Sequence, residues 1–449
     1  MSKIITSDST LPSRKAHVYV MGCKVNQAEI DSVAGFLMEN GFEIDHDSET
    51  PEIIFINTCC VTDSAAGKSR RMIRKLADQY PSSRLLISGC LSEIDPEMIK
   101  RVAPNADVLG TYDKDRFQEI ILAKSSTVLE TDLIPASSCL KFSSVWGSFR
   151  SSRSRAFLKV QDGCSHRCSY CVVPIARGPS RSMNVKEVIK NVRDLVNSGF
   201  SEIALTGIHL GAYGRDLSPR SSLDGLITEL LTNTSNCRFR LSSIEPQDFS
   251  DELVRLVSQS SRICRHFHIP TQSGDDEILK RMFRPYRTGL VRDLADKILE
   301  HVSDACLGMD IMVGFPGESE SSFQTTLEFV KESRFSYFHV FPFSPRRGTV
   351  AYGLPLRTPN KIARSRVKIL RSLSNEQRQE FYKRFVGRTL EAVVESVGED
   401  PDGWGKALTD NYISVNVSGL GKGLKRKIAP VRIQKVSKND VIGSLVQEK

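Results

Sequence analysis

Cys164, Cys168 and Cys171 have three and then two residues between neighbours, and thiols so closely spaced are ligands for zinc or for the irons of an iron–sulfur cluster. A structural zinc site closes with four protein ligands. Here only three cysteines are grouped, with His166 inside the loop and no fourth Cys or suitably spaced His soon after. Three thiolates on a four-iron cluster leave one iron open, as a catalytic cluster requires if it is to hold a substrate. The loop follows an apolar run ending Gln161-Asp162-Gly163, so it would stand at the carboxyl end of a strand. On the residues alone, a zinc-stabilised loop in a non-catalytic RNA-binding protein is the competing reading, and it predicts a colourless, air-stable protein.

A second set of cysteines is dispersed. Cys23, Cys59 and Cys90 follow the apolar runs His17–Gly22, Ile53–Thr58 and Leu85–Gly89. Helical patterns separate these runs: one capped by Asn26 with Ile30, Val33, Ala34 and Leu37 on one face, and a basic one from Ser64 carrying Lys68, Arg70, Arg71, Arg74 and Lys75. Strand–helix alternation predicts a doubly wound parallel sheet. Its strands end on one shared edge, so cysteines 36 and 31 positions apart in sequence can meet there. Three unrelated buried thiols is the alternative. Cys60 directly follows Cys59, and neighbours on an extended segment point to opposite sides. Cys139, Cys237, Cys264 and Cys306 show no ligand spacing and read as packed thiols.

These sites need elements to position them, and 449 residues allow two or three domains. The expected divisions are a loose tail at 1–13, an N-terminal domain at 14–123, a Ser-rich linker at 124–152, a central domain at 153–383 and a C-terminal domain at 384–449. The central domain shows six apolar strands, Phe157–Gly163, Glu202–Gly207, Arg238–Pro246, Arg265–Ser273, Leu307–Gly317 and Tyr337–Pro345, alternating with amphipathic stretches. This predicts a partial (βα)6 barrel with its function at the carboxyl strand ends. Ile362, Ile369, Leu373 and Phe381 suggest a buried stripe on the helix that follows. Beyond it, short alternating strands and Gly-rich turns predict a small antiparallel β-barrel. The class is therefore α/β with a β-barrel appended.

Net charge is +9, and residues 357–388 alone hold ten Lys or Arg against Glu376 and Glu380. Together with the basic knot at 68–75, this is the footprint of a polyanion such as RNA. No run is long and apolar enough to cross a membrane, and no secretory h-region opens the chain, so a cytoplasmic protein is expected.

The triad with Tyr170 before its last Cys resembles the radical S-adenosylmethionine superfamily. The resemblance implies an open iron that chelates the amino and carboxylate groups of S-adenosylmethionine, whose reductive cleavage yields a 5′-deoxyadenosyl radical. From about residue 15 onward the whole chain resembles the methylthiotransferases, which implies a second 4Fe–4S cluster on Cys23, Cys59 and Cys90. Cys60 departs from that family's pattern, and Arg347, where relatives often carry Pro, is a smaller departure. The segments Leu205–Gly211, Ser243–Pro246, His268–Gly274 and Asp310–Glu318 are similar to those lining the family's S-adenosylmethionine pocket, implying contacts from Tyr170, Gly207, His209, Glu245, Gln272 and Asp310. The C-terminal region resembles a TRAM domain, an RNA-binding module. Arg364, Arg366, Lys368, Arg371, Trp404, Lys425 and Arg426 become the candidate RNA contacts.

The stretch Ala176–Ser182 looks most like the branch acting on threonylcarbamoyladenosine in tRNA. Sibling branches act on isopentenyladenosine or on a ribosomal-protein aspartate. The implied reaction places the adenosine between the clusters, held by the basic helix and the C-terminal barrel, and adds a methylthio group at C2. It also needs an electron donor such as a flavodoxin or ferredoxin, and a sulfur donor that the sequence does not name.

Overall fold

In the N-terminal part, β1 (Arg14–Val20), β2 (Phe42–Ile44), β3 (Ile53–Thr58), β4 (Arg84–Gly89) and β5 (Asp107–Val108) form one parallel sheet in the order β2-β1-β3-β4-β5. β3 is buried along its whole length, as expected of a parallel strand covered by helices on both faces. The strand order reverses at β1/β3, which opens a crevice at the carboxyl ends. The computed structural model describes residues 14–110, 119–120, 153–398, 404–438 and 440–446. The tail expected at 1–13 and the linker expected at 124–152 lie outside them, as does Gly403.

Asn26 is not the helix cap. The helix runs Lys24–Glu39 with Cys23 as N-cap. Asn26 instead donates from Nδ2 to the carbonyls of Met21 and Thr58, at 2.8 and 2.9 Å. It spends its amide holding two strand tips together rather than satisfying its own helix.

The chain divides into two compact units, and the second begins at Arg150 apart from a short piece at 61–63. Within it, β6 (Ala156–Lys159), β9 (Glu202–Thr206) and β10 (Arg238–Leu241) pair in parallel, while β7 (Gln161–Asp162) pairs with β8 (Arg181–Ser182). β11 (His266–Gln272), β12 (Cys306–Val313) and β13 (Tyr337–Pro342) form a second parallel set. One parallel bridge, Phe239–Ile263, joins the two sets into the expected six-stranded partial barrel.

β14 (Thr389–Ser396), β15 (Gly405–Thr409), β16 (Ser414–Ser418), β17 (Ile428–Val436) and β18 (Val441–Leu445) close into a barrel in the order β14-β15-β16-β18-β17. Its core of Ala392, Val394, Val415, Val431 and Ile433 continues into Phe381 and Phe385 at the end of the long basic helix. That helix, Asn360–Lys383, buries Ala363, Arg366, Val367, Leu370, Ser374 and Phe381. The stripe expected from the sequence is corrected here, because Ile362 and Ile369 are each 43% exposed. Arg366 and Ser374 occupy the inward face because both have partners there: Glu318 for Arg366, and the backbone of Phe338 for Ser374. Apolar periodicity cannot register a polar residue whose burial is compensated.

The C-terminal barrel sits at the amino ends of the central strands. Arg238 and Arg240, on β10, donate to Glu202 at the start of β9 and to the carbonyls of Glu391, Leu408, Thr409 and Asp410. Arg265 pairs with Asp410 and Asp304. Tyr412 stacks on His266 with ring centroids 4.0 Å apart. The cysteine loop lies at the opposite, carboxyl ends.

Candidate metal centres and cofactor pocket

Cys23, Cys59 and Cys90 follow β1, β3 and β4, three adjacent strands around the reversal of strand order. Backbone and side-chain bonds lock these tips together. Met21 donates its N–H to Asn57 O (2.8 Å), and the Thr58 hydroxyl donates to Ser88 O (2.6 Å). The Ser69 hydroxyl accepts from Cys59 N and donates to Cys59 O. Gly22 has φ +95, and a Cβ there would stand 2.8 Å from Cys59 Sγ. The Cys59 thiol therefore lies against the segment that carries Cys23. Cys23 is exposed, while Cys59, Cys60 and Cys90 are buried.

Gly89 combines φ +102 with a Cβ position only 2.2 Å from Thr58 O. Gly89→Ala is expected to lower the stability of the N-terminal unit by about 1–3 kcal/mol through backbone strain, and by more where Thr58 cannot yield. Urea unfolding measures this, and an unchanged midpoint would show that the tip is not held as described.

The 164–171 loop is braced from behind. Gln161 accepts from His209 N (2.7 Å) and donates to Gly163 O (2.8 Å) and the Ser180 hydroxyl (2.9 Å). Buried Arg177 donates to Asp162 (2.8 Å), and Cys164 N donates to Gly178 O (3.0 Å). The 176–182 stretch thus supports the cysteine loop. A Cβ on Gly207 would come within 2.8 Å of Gln161 Oε1, so Gly207 serves the closeness of two loops.

The three thiols are electrostatic neighbours. Burial pushes Cys171 up to about 12, and Cys168 and Cys164 add to the rise. Burial also raises Cys168, against the pull of Arg284. Such thiols ionise when a metal takes up their charge, so the donor set fits a metal cluster. Among the described residues no three His, Cys, Asp or Glu side chains gather around a single-ion position; a four-iron cluster takes each thiolate on a different iron. Tyr170 packs with Met282, Met312 and Phe315, walling the loop on its apolar side.

Polar residues from several elements surround the loop. Arg284, 5% exposed, donates to Cys168 Sγ (3.2 Å), Tyr286 (2.7 Å) and Glu245. Burial pushes the Glu245 carboxyl up despite that guanidinium. His209 Nε2 lies 2.5 Å from Asp248 and Nδ1 3.8 Å from Cys164 Sγ. Burial opposes its charge, but these two partners raise it to about 9, which makes it an imidazolium between a carboxylate and a thiol. Sequence reading missed Arg284 and Asp248; neither neighbours a cysteine in the chain, and only folding brings them there.

Gln272 ends β11 at φ +73, a left-handed backbone that a non-glycine residue adopts at a cost. Ser242 Oγ and both amide atoms of Gln247 are buried without a hydrogen-bond partner. Unmet polar atoms beside the mouth fit a polar ligand such as S-adenosylmethionine. Asp310 differs from the expected strand-end position. It sits mid-strand, paired in register with His339 and 3.3 Å from His268 Nε2, and the Ser243 hydroxyl meets His268 Nδ1 at 2.8 Å.

The expected RNA contacts separate. Arg364, Lys368, Lys425 and Arg371 are exposed, and Trp404 is 59% exposed. Arg366 is not available: it is 5% exposed and paired with Glu318 (2.5 Å) and Glu320 (2.9 Å). Arg426 lies 4.3 Å over the Phe200 ring and donates to Arg153 O, so it serves the docking of the small barrel.

Comparison with known proteins agrees with this geometry. Residues 15–110 match the uncharacterized protein family UPF0004, residues 158–330 the Radical SAM superfamily and residues 383–446 the TRAM domain. The threonylcarbamoyladenosine tRNA methylthiotransferase MtaB of Bacillus subtilis (strain 168) is 34% identical, over 91% of this chain and 92% of its own length. That of Rickettsia prowazekii (strain Madrid E) is also 34% identical, covering 90% and 91%. The tRNA-2-methylthio-N(6)-dimethylallyladenosine synthase of Clostridium tetani (strain Massachusetts / E88) is 30% identical, covering 92% of each chain. In fold, the radical S-adenosylmethionine methyltransferase TsrM of Kitasatospora setae matches 76% of this chain and 74% of its own, with a TM-score of 0.54 at 13% identity. No helix among the described residues is long and apolar enough to cross a membrane. Two thiol-bearing sites at strand tips, the domain matches and relatives of this identity and coverage together place the chain in the radical S-adenosylmethionine methylthiotransferase family, as an enzyme of that class.

Proposed function

We propose that the protein converts threonylcarbamoyladenosine at position 37 of tRNA to its 2-methylthio form, using two 4Fe–4S clusters and S-adenosylmethionine. The observation that carries the reading is the pair of cysteine triads, each at the carboxyl tips of parallel strands. Cys164, Cys168 and Cys171 hold the cluster that binds S-adenosylmethionine; Cys23, Cys59 and Cys90 hold the second. Bound there, the clusters and S-adenosylmethionine supply the radical and sulfur chemistry.

The chain's own residues bind and orient. Arg284 brings a positive charge to Cys168 and fixes Glu245. Asp248 fixes the ring of His209 beside Cys164. Glu245 and Gln272 offer polar contacts at the mouth, and the apolar group around Tyr170 excludes water on one side.

For the base, the polar row of Ser243, His268, Asp310 and His339 suits the hydroxyl, carboxylate and carbamoyl groups of the threonyl substituent better than an isoprenoid tail. The names of the relatives at 34% identity point the same way. A reductant such as flavodoxin or ferredoxin completes the reaction, and a tRNA substrate supports the reading of a cytoplasmic protein.

The test is anaerobic incubation with reductant, S-adenosylmethionine, sulfide and bulk tRNA, followed by mass spectrometry of the nucleosides. The expected product is the methylthio form of threonylcarbamoyladenosine. A methylthio form of isopentenyladenosine instead would move the substrate to the sibling branch. Zinc with no iron in the isolated protein would remove the enzyme reading.

A further inference from the structure

A stack of rings lies beneath the polar row of Ser243, His268, Asp310 and His339. His268 on β11, Gly308 on β12 and Tyr337 on β13 are neighbours in register, and residues two apart on a strand share a face. Gly308 has no side chain, and a Cβ there would stand 2.2 Å from Tyr337 Cζ. The Tyr337 ring therefore crosses β12 to β11, where its hydroxyl meets His266 Nε2 at 2.9 Å. The His266 and Tyr337 rings are nearly parallel, at 5°. Tyr412 stacks against both, with centroids 4.0 Å from His266 and 6.0 Å from Tyr337. Tyr337 in turn stands 5.2 Å from the His339 ring, edge to face, and 6.3 Å from that of His268. Two of the four members of the row thus rest on this stack.

Tyr412 belongs to the C-terminal barrel, in the turn between β15 and β16. Its φ is +68, a left-handed backbone that glycine and asparagine adopt readily and a bulky side chain rarely does. The turn is held from several directions. Tyr412 N donates to Thr409 O (3.1 Å), and the Thr409 hydroxyl donates to Asn411 (2.7 Å) and accepts from Ile413 N (2.8 Å). Asn411 donates to Asp304 O in the central domain (3.3 Å). Docking of the barrel already has the ion network of Glu202, Arg238 and Arg240, so it does not call for an aromatic ring at a strained position. Backbone strain of this kind persists only where its surroundings hold it, and it concentrates at functional sites.

We infer that Tyr412 is a positioning residue for methylthiolation: through His266 and Tyr337 it fixes where His268 and His339 meet the substituent of the base. The inference rests on the proposed reading of the polar row and adds that the C-terminal barrel acts on the placement of the base without touching it. Packed rings cannot yield continuously. With the Tyr412 ring gone, His266 and Tyr337 lose a face of their packing, and the rings above them lose their support. A misplacement of about 1 Å at a reacting centre can cost about 100-fold in rate.

The test uses Tyr412→Asn, which removes the ring but suits the left-handed turn, and Tyr412→Phe, which keeps the ring. Three quantities are read on the full chain with reconstituted clusters: tRNA affinity, 5′-deoxyadenosine formed, and methylthio-threonylcarbamoyladenosine formed. Tyr412→Asn is expected to bind tRNA within about twofold of the parent, because phosphate contacts supply that affinity. It should go on cleaving S-adenosylmethionine while the product formed per cleavage falls by about tenfold or more. Tyr412→Phe should restore the parent's ratio. Gly308→Ala, which pushes on the Tyr337 ring from β12 and leaves the barrel unaltered, should uncouple cleavage from product in the same way. An unchanged ratio in Tyr412→Asn, or a loss in Tyr412→Phe as large as that in Tyr412→Asn, overturns the inference. So does a fall in product that matches a fall in tRNA affinity, since that is a role in docking alone. If the unaltered protein forms no methylthio-threonylcarbamoyladenosine, the functional reading fails first and takes the inference with it.

Discussion

Cys168→Ala is expected to abolish cleavage of S-adenosylmethionine and to lower iron from roughly eight to roughly four per chain. Cys59→Ala is expected to lose a similar amount of iron, keep cleavage within a few-fold of the parent, and form no methylthio product. The two losses differ because the triads occupy different folding units, and only the 164–171 loop stands among the residues suited to S-adenosylmethionine. Cys168 is the sharper probe of its triad because its thiol also accepts from Arg284; removing it leaves a buried guanidinium short of one partner. Cys60→Ala should behave as the parent does, since the Gly22 contact belongs to the Cys59 thiol. Iron content, cleavage to 5′-deoxyadenosine and nucleoside mass spectrometry read the three variants together. Methylthiolation retained by Cys59→Ala, or lost in Cys60→Ala, would falsify the choice between the two cysteines.

How much of this the sequence carried depends on how local each signal is. The 164–171 spacing is local, so it was legible at once. The dispersed triad was legible only through strand–helix alternation, which aligns three tips on one edge. β2 and β5, of three and two residues, are too short to show a period. The inward face of the basic helix was misassigned because Arg366 and Ser374 fill it, and their partners Glu318 and Phe338 are distant in the chain. Arg284 and Asp248 were invisible for the same reason, whereas Ser243, His268 and Asp310 stand in segments expected to line the pocket, and only their meeting in one row needed the fold. Strand positions were readable, but which end of the central strands the small barrel would cover was not. That depended on a buried charge network assembled from residues more than 150 positions apart.

Glu202 is the centre of that network, and Glu202→Ala is expected to destabilise the second unit by about 3–5 kcal/mol. Its carboxylate is fully buried and accepts from Arg240 Nε (2.7 Å) and Arg238 Nε (2.8 Å). Burial alone would raise its pKa, but Arg240 and Arg238 outweigh that and hold it down at about 2. Without it, two buried guanidinia keep only carbonyl partners, and those carbonyls belong to the C-terminal barrel. The destabilisation should therefore appear first as undocking of that barrel, read by proteolysis after about residue 383, and then as a lower unfolding midpoint. The sign of the pH effect follows from the depressed pKa: the stability Glu202 confers is complete above about pH 4.5, its ordinary value, and is lost as pH falls toward 2. Between those values the unaltered protein should lose stability faster than Glu202→Gln, which has no carboxylate to protonate. Parallel acid-unfolding curves for the two proteins would show that the arginines are held by hydrogen bonds alone and that the charge at position 202 contributes nothing.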